Sequence, residues 1–320
     1  MNYSILKYIL GYVLKIEAAF MLLPCVTSLI YHEKEGRYFF LVACVCMLLG
    51  VLMTYRKPKN TVFYLKEGCL ATSLSWIILS LFGAIPFWIS GEIPQWENAL
   101  FETISGFTTT GATVLSNVEG LSHTALIWRS FTHWIGGMGV LVFLLAILPL
   151  SGGSSINLMR AESPGPSVGK LVPKVRYTAM ILYTIYFGMT VIEFIFLLAG
   201  KMPVFDALTT AFGTAGTGGF GIKNDSIMGY SPYIQWVVAI FMILFGINFN
   251  FYFYILYRHF RKAISMEEIH YYLAMILIAV TIIFLNVRTM YPTGFEAMTH
   301  SVFQVASLAT STGFSTTDFD

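Results

Sequence analysis

Charge is scarce in this chain. Of its 320 residues, 19 are Lys or Arg and 17 are Asp or Glu, 11% in all, too few to cover a soluble globule of this length. A formal net charge of +2 carries little information in a chain whose basic residues matter by position, and no nucleic-acid partner is suggested. Cysteine is equally sparse: Cys25, Cys44, Cys46 and Cys69 lie in or beside apolar runs without metal-ligand spacing, which argues against a zinc site or a disulfide. No catalytic constellation stands out, so the chain is not read as an enzyme and no cofactor is expected. "GTGGFG" (216–221) has the form G-x-G-x-x-G, but no strand precedes it, and a dinucleotide site is rejected. The N-terminal run is interrupted by Lys15 and Glu17 and has no cleavage motif, so it reads as a retained helix.

Apolar residues fill the space that charge leaves. They make up 56% of the chain, and the mean hydropathy is +0.70. Runs of about twenty apolar residues, enough to cross a bilayer, fall near 5–30, 38–54, 64–90, 122–149, 177–200, 232–257 and 267–287. The fold class is therefore an all-α polytopic membrane protein.

Three further stretches, "WENALFETISGF", "VFDALTTAFGTAG" and "FEAMTHSVFQVASLAT", are too short and too polar to cross. Each leads into a glycine segment, and aligning these on Gly111, Gly219 and Gly313 gives "FTTTGAT", "AGTGGFG" and "ATSTGFS". The repeating unit is span, short helix, glycine loop, span. It divides the chain into 1–60 (two extra N-terminal helices), 61–155 (first repeat), 156–262 (second repeat) and 263–320 (a third repeat that stops after its loop). "WIGGMGVL" (134–141) reads instead as close helix packing.

In hydrocarbon an unpaired backbone carbonyl costs several kcal/mol, so such loops survive at membrane depth only in protein or along a watery path. Glycine permits the left-handed backbone that aims successive carbonyls at one axis, and carbonyls can replace the water shell of a dehydrated cation. Each short helix would point its partially negative C-terminal end inward, which also favours a cation. With the N-terminus inside, eleven basic residues fall on inner loops (Lys7, Arg56, Lys57, Lys59, Arg160, Lys170, Lys174, Arg176, Arg258, Arg261, Lys262) and six outside (Lys34, Arg37, Arg129, Lys201, Lys223, Arg288). That bias favours this orientation. The competing function is a secondary transporter with broken helices for another small solute, but half-helix N-termini would then converge on the substrate.

Glu97, Glu102, Asp206, Glu296 and Asp318 fall at the outer mouth in this topology. They either concentrate cations there or stabilise helix N-termini. Glu17 is expected to pair locally with Lys15 or to snorkel, Glu193 to reach the outer interface, Arg129 to anchor at that interface, and Asn248 to hold helices together.

"IWRSFTHWIGGMGVLVFLLAILPL", "ESPGPSVGKLVPKVRYTA" and "HSVFQVASLATSTGFSTTDF", added to the repeat of pore helix and loop, resemble the Trk/Ktr/HKT superfamily of potassium transport proteins, and within it the bacterial TrkH-type membrane subunit. The resemblance implies a potassium-channel-like pore of four pseudo-repeats in the cell inner membrane, a homodimer, and a TrkA-like cytoplasmic nucleotide-binding regulatory subunit. It matches Gly111, Gly219 and Gly313 to the filter glycines, with Gly218 the alternative in the second loop. Thr109, Thr110, Thr217, Ser311 and Thr312 match their neighbours, and K+ would bind through backbone carbonyls. A fourth repeat has no counterpart here, so a fragment is expected. A sodium-permeable member of the superfamily is the variant reading.

Overall fold

The computed structural model describes residues 2–58, 65–139 and 175–317. Thirteen helices and no strand occur among them. The N-terminal hairpin is α1 (Tyr3–Phe20), α2 (Leu22–Tyr31) and α3 (Gly36–Thr54). Pro24 cannot donate to the carbonyl of Phe20, and its ring crowds that carbonyl, so α1 gives way to α2 at Met21. Where α1 crosses α3, a Cβ on Gly50 would lie 2.7 Å from the Gly11 carbonyl oxygen and one on Gly11 2.8 Å from the Met53 Cβ. Small residues there let the two backbones meet.

The first repeat follows as α4 (Leu65–Ser90), the short α5 (Trp96–Phe107) and α6 (His123–Met138). The second has α7 (Val175–Ala199), the short α8 (Val204–Ala215), α9 (Pro232–Phe245) and α10 (Phe249–Leu256). After the small α11 (Phe260–Ile264), the third has α12 (Glu267–Val287) and the short α13 (Gly294–Ala309). At 1.5 Å per residue, a helix of twelve residues extends only about 18 Å, well short of a bilayer core.

Among the described residues, five helical segments are long and apolar enough to cross a membrane: Tyr3–Tyr31, Gly36–Thr54, Lys66–Ser90, Tyr177–Ala199 and Glu267–Val287. Many of their apolar side chains face outward, among them Leu48, Leu52, Ile195, Phe196, Leu277 and Ile282. An apolar belt of that extent suits lipid.

One of the seven expected spans differs. The stretch 232–257 is not one straight helix, because α9 and α10 meet at 90°. Gly246 caps α9, and Asn248 opens α10 by accepting the amide of Asn250 at 3.0 Å. Hydroxyls reach the carbonyls at this break: Tyr252 donates to Leu244, which also accepts the Ile247 amide at 3.1 Å, and Tyr272 of α12 donates to Ile243. That satisfaction is what lets a helix break inside a membrane. Of the stretch 122–149, residues 123–138 form α6 and the rest lies outside the described residues, as do Lys59, Arg160, Lys170, Lys174 and Asp318.

Candidate functional site

Each short helix ends in a loop of the same shape. Thr109, Thr217 and Ser311 take left-handed φ of 54°, 50° and 57°, and two residues later Gly111, Gly219 and Gly313 take 75°, 74° and 85°. Two left-handed residues separated by one ordinary residue turn successive carbonyls toward one side, where a strand would alternate them. The hydrogen bonds repeat too. The amides of Thr110, Gly218 and Thr312 return to the carbonyls of Ser105, Gly213 and Ser307 at 2.9, 3.0 and 2.8 Å. This backbone register makes Gly219 the structural counterpart of Gly111 and Gly313.

The loops meet backbone to backbone. A Cβ built on Gly111 would run into the carbonyl oxygen of Gly218, and one on Gly219 into that of Thr312. Gly313 has the same left-handed φ, but a Cβ there meets nothing within 4 Å. Further out, the Asn224 side chain accepts the amide of Val118 at 2.8 Å, and the Asn224 amide donates to Glu119 at 3.0 Å. One loop along, Ser315 donates its amide to the Ser226 hydroxyl at 3.1 Å, and its carbonyl accepts the amide of Ile227 at 3.1 Å.

Phe220 and Phe314, which follow the second and third glycines, are each 1% exposed. Phe220 stacks on His133 of α6, with ring centroids 4.1 Å apart, and Phe314 enters the space over Gly213, where a Cβ would lie 2.9 Å from its ring. Each aromatic thus packs on the preceding repeat. Gly136 and Gly137 are packing residues, as "WIGGMGVL" suggested: side chains there would strike Phe107 and Gly216.

Four sequence expectations fail on burial. Glu102 is not at the outer mouth; it is 1% exposed and pairs with Arg129, Nε to Oε2 at 2.9 Å. Its other oxygen accepts the Val114 amide at 2.7 Å and the Thr113 hydroxyl. Arg129 therefore does not anchor at the interface: it is 3% exposed, donates to the Gly221 carbonyl at 2.9 Å and lies over Phe220. Glu17 and Glu193 neither snorkel nor reach an interface. Both are buried inside helix packing, Glu17 with no hydrogen-bond partner on either oxygen among the described residues and Glu193 beside Thr214, and Lys15 lies over the Tyr12 ring.

Glu97, Asp206 and Glu296 stand in the first turns of α5, α8 and α13, where a carboxylate complements the helix dipole. Asp206 also accepts the Tyr230 hydroxyl at 2.7 Å. Asn248 reaches Glu268 of α12 at 3.1 Å, joining two helices as expected.

Glu33 was not singled out from the sequence. It receives the amides of His123 and Thr124 at 2.8 and 2.9 Å and the Thr124 hydroxyl at 2.6 Å, closing the start of α6. Burial opposes its ionisation, but the hydrogen bonds from Thr124 and His123 outweigh it and hold the carboxyl below its ordinary value. The signal in the sequence, one of two acids in a short polar turn, does not point to a helix ninety residues away.

Comparison with known proteins agrees with this architecture. Residues 36–320 match the family described as TrkH, cation transport protein. The Trk system potassium uptake protein TrkH of Salmonella typhimurium is 34% identical over 326 residues, and its counterpart in Escherichia coli K12 is 33% identical; each alignment covers 99% of this chain and 67% of the relative. The crystal structure of the potassium transporter TrkH from Vibrio parahaemolyticus superposes with a TM-score of 0.83 at 27% identity, over 99% of this chain and 66% of that one. The chain thus spans about two thirds of the length of these proteins. A match over that extent, to transport proteins built of the same helices, makes this chain a multi-pass membrane protein of the TrkH cation transport family.

Proposed function

We propose that the chain supplies three filter loops of a pore for potassium uptake across the bacterial cytoplasmic membrane. The observation that carries this reading is the pair of left-handed residues repeated at 109/111, 217/219 and 311/313, on loops whose glycines touch the next loop's carbonyls. Potassium is the cargo. It would meet carbonyl oxygens of Thr109, Thr110 and Gly111, Thr217, Gly218 and Gly219, and Ser311, Thr312 and Gly313, which replace its water. The short helices aim their C-terminal ends the same way and add partial negative charge. Inward flow needs no chemical step, because a potential negative inside supplies about 2.3 kcal/mol per charge per 100 mV.

Glu97, Asp206 and Glu296 would raise the cation concentration at the mouth, within a screening length of about 8 Å. The N-terminus lies inside in this reading, which puts the exposed Arg258, Arg261 and Lys262 on the cytoplasmic side. There they are candidates to meet a nucleotide-binding regulatory subunit of the TrkA kind, with the membrane subunit working as a homodimer. The names of the relatives support potassium as cargo.

The test is ion uptake by the full-length protein in liposomes, comparing potassium, rubidium and sodium under an imposed potential. Uptake of potassium and rubidium well above sodium is the expected result. Equal rates for sodium and potassium would remove potassium selection, and no cation flux at all would remove the pore.

A further inference from the structure

Arg129 makes two connections with one guanidinium. Its Nε pairs with Glu102 Oε2 at 2.9 Å, and its terminal nitrogen donates to the Gly221 carbonyl at 2.9 Å. Glu102 holds the first loop with its other oxygen, through the Val114 amide at 2.7 Å and the Thr113 hydroxyl. Thr113 and Val114 follow Gly111, and Gly221 follows Gly219. A single ion pair therefore links α5, α6 and the outer ends of two filter loops, with side chains only 3% and 0% exposed. Phe220, between the filter glycine and Gly221, lies 3.5 Å from the guanidinium carbon and stacks on His133.

Removing two charges from water costs several kcal/mol each, and a buried pair often adds little net stability over apolar residues of the same volume. What this pair supplies is placement. A carboxylate that accepts a backbone amide from one loop, joined to a guanidinium that donates to a carbonyl of the next, fixes two backbones relative to each other. It also sets charge. An unpaired guanidinium in a low-dielectric wall would repel a cation in the adjoining path, and Glu102 cancels it.

We propose that Glu102 and Arg129 are positioning residues for ion selection. They clamp the first filter loop to the second and neutralise a fixed positive charge behind them. The proposal rests on the reading of these loops as a potassium filter. Clamp and charge make separable demands. Glu102→Gln leaves the guanidinium buried and unpaired, so the KM for potassium should rise about tenfold. Arg129→Gln leaves the Glu102 carboxylate unpaired, a charge that does not repel a cation, and the double variant Glu102→Gln/Arg129→Gln removes both charges; neither should show that rise in KM, while in both the potassium-to-sodium permeability ratio falls at least about fivefold. Arg129→Lys keeps the charge but lacks the planar fork that serves two acceptors, so its ratio should lie between those of wild type and Arg129→Gln.

The measurement is concentration-dependent uptake of potassium and sodium by the full-length protein in liposomes, normalised to inserted protein. Arg129→Lys is included as the mildest change should the others insert poorly. A wild-type permeability ratio in Arg129→Lys together with every other inserted variant would overturn the clamp. A KM in the double variant as high as in Glu102→Gln would overturn the charge cancellation. A wild-type protein that takes up sodium and potassium equally would instead refute the filter reading itself.

Discussion

Ser105 and Ser307 occupy the same place in two different loops. Each donates its hydroxyl to the carbonyl seven residues ahead, Ser105 to Ala112 at 2.6 Å and Ser307 to Phe314 at 2.7 Å. The second loop has Gly213 at this position, where a side chain would crowd Phe314. The hydroxyls tie these two short helices to the residue just past the loop glycine. Replacing either serine by alanine leaves that carbonyl without its donor, at a cost of about 1–3 kcal/mol. Ser105→Ala and Ser307→Ala should each lower the thermal midpoint of the detergent-solubilised protein and reduce potassium uptake. Unaltered melting and uptake in both would show that these bonds do not hold the loops.

The glycines of the three loops should not respond alike. A side chain in the left-handed region costs roughly 1–2 kcal/mol, and Gly111→Ser and Gly219→Ser add a collision with a neighbouring loop's carbonyl. Gly313→Ser pays for conformation alone, since no described atom lies within 4 Å of the new Cβ. Potassium-to-sodium permeability ratios should therefore fall further in the first two variants than in the third. Equal losses in all three would show that conformation, not contact between loops, sets the outcome.

Glu33 gives a pH dependence outside the spans. Its carboxyl is held below its ordinary value, so the folded state favours the ionised form. That stability is fully present above the unfolded value, near 4.3, and is lost as the pH falls through the lower folded value. Glu33→Gln should lower stability by about 1 kcal/mol at neutral pH, reduced by solvent screening. The gap from wild type should shrink as the medium is acidified through that range. Thermal melts of both proteins from neutral to acid pH give the comparison, and a gap that stays constant would mean that the carboxylate charge plays no part.

The break between α9 and α10 should be intolerant of bulk. Gly246 has φ −73°, which any residue can adopt, so alanine is excluded by space alone: its Cβ would meet the Tyr272 hydroxyl and lie 2.9 Å from the Thr310 methyl. Gly246→Ala should destabilise by about 1–3 kcal/mol, and Tyr272→Phe, which frees the Ile243 carbonyl, by a similar amount. If Gly246→Ala melts like wild type, the contact with Tyr272 is not tight.

Features that recur in the sequence were legible there. Spacing alone put Gly111, Gly219 and Gly313 in register, and the register carried the short helices and loops with it. The doubt between Gly218 and Gly219 needed backbone angles, because two adjacent glycines look alike as letters. Charges were the least legible. Hydropathy sends a Glu or Arg to the interface unless a partner is visible, and the partners of Glu102 lie at 113, 114 and 129, across a turn whose path the sequence does not show. The same limit hid the burial of Glu17 and Glu193. The bend after Phe245 was hidden by the apolar residues on both sides of it, since hydropathy sums over a kink as readily as over a straight helix.

The clasp at Asn224 has a consequence for synthesis. The side chain that takes the Val118 amide comes 106 residues later in the chain, about 5 to 20 seconds of translation at 5–20 residues per second. Until then the segment beyond the first loop lacks that bond, and the nascent protein must shelter a half-built vestibule while the next hairpin emerges from the ribosome.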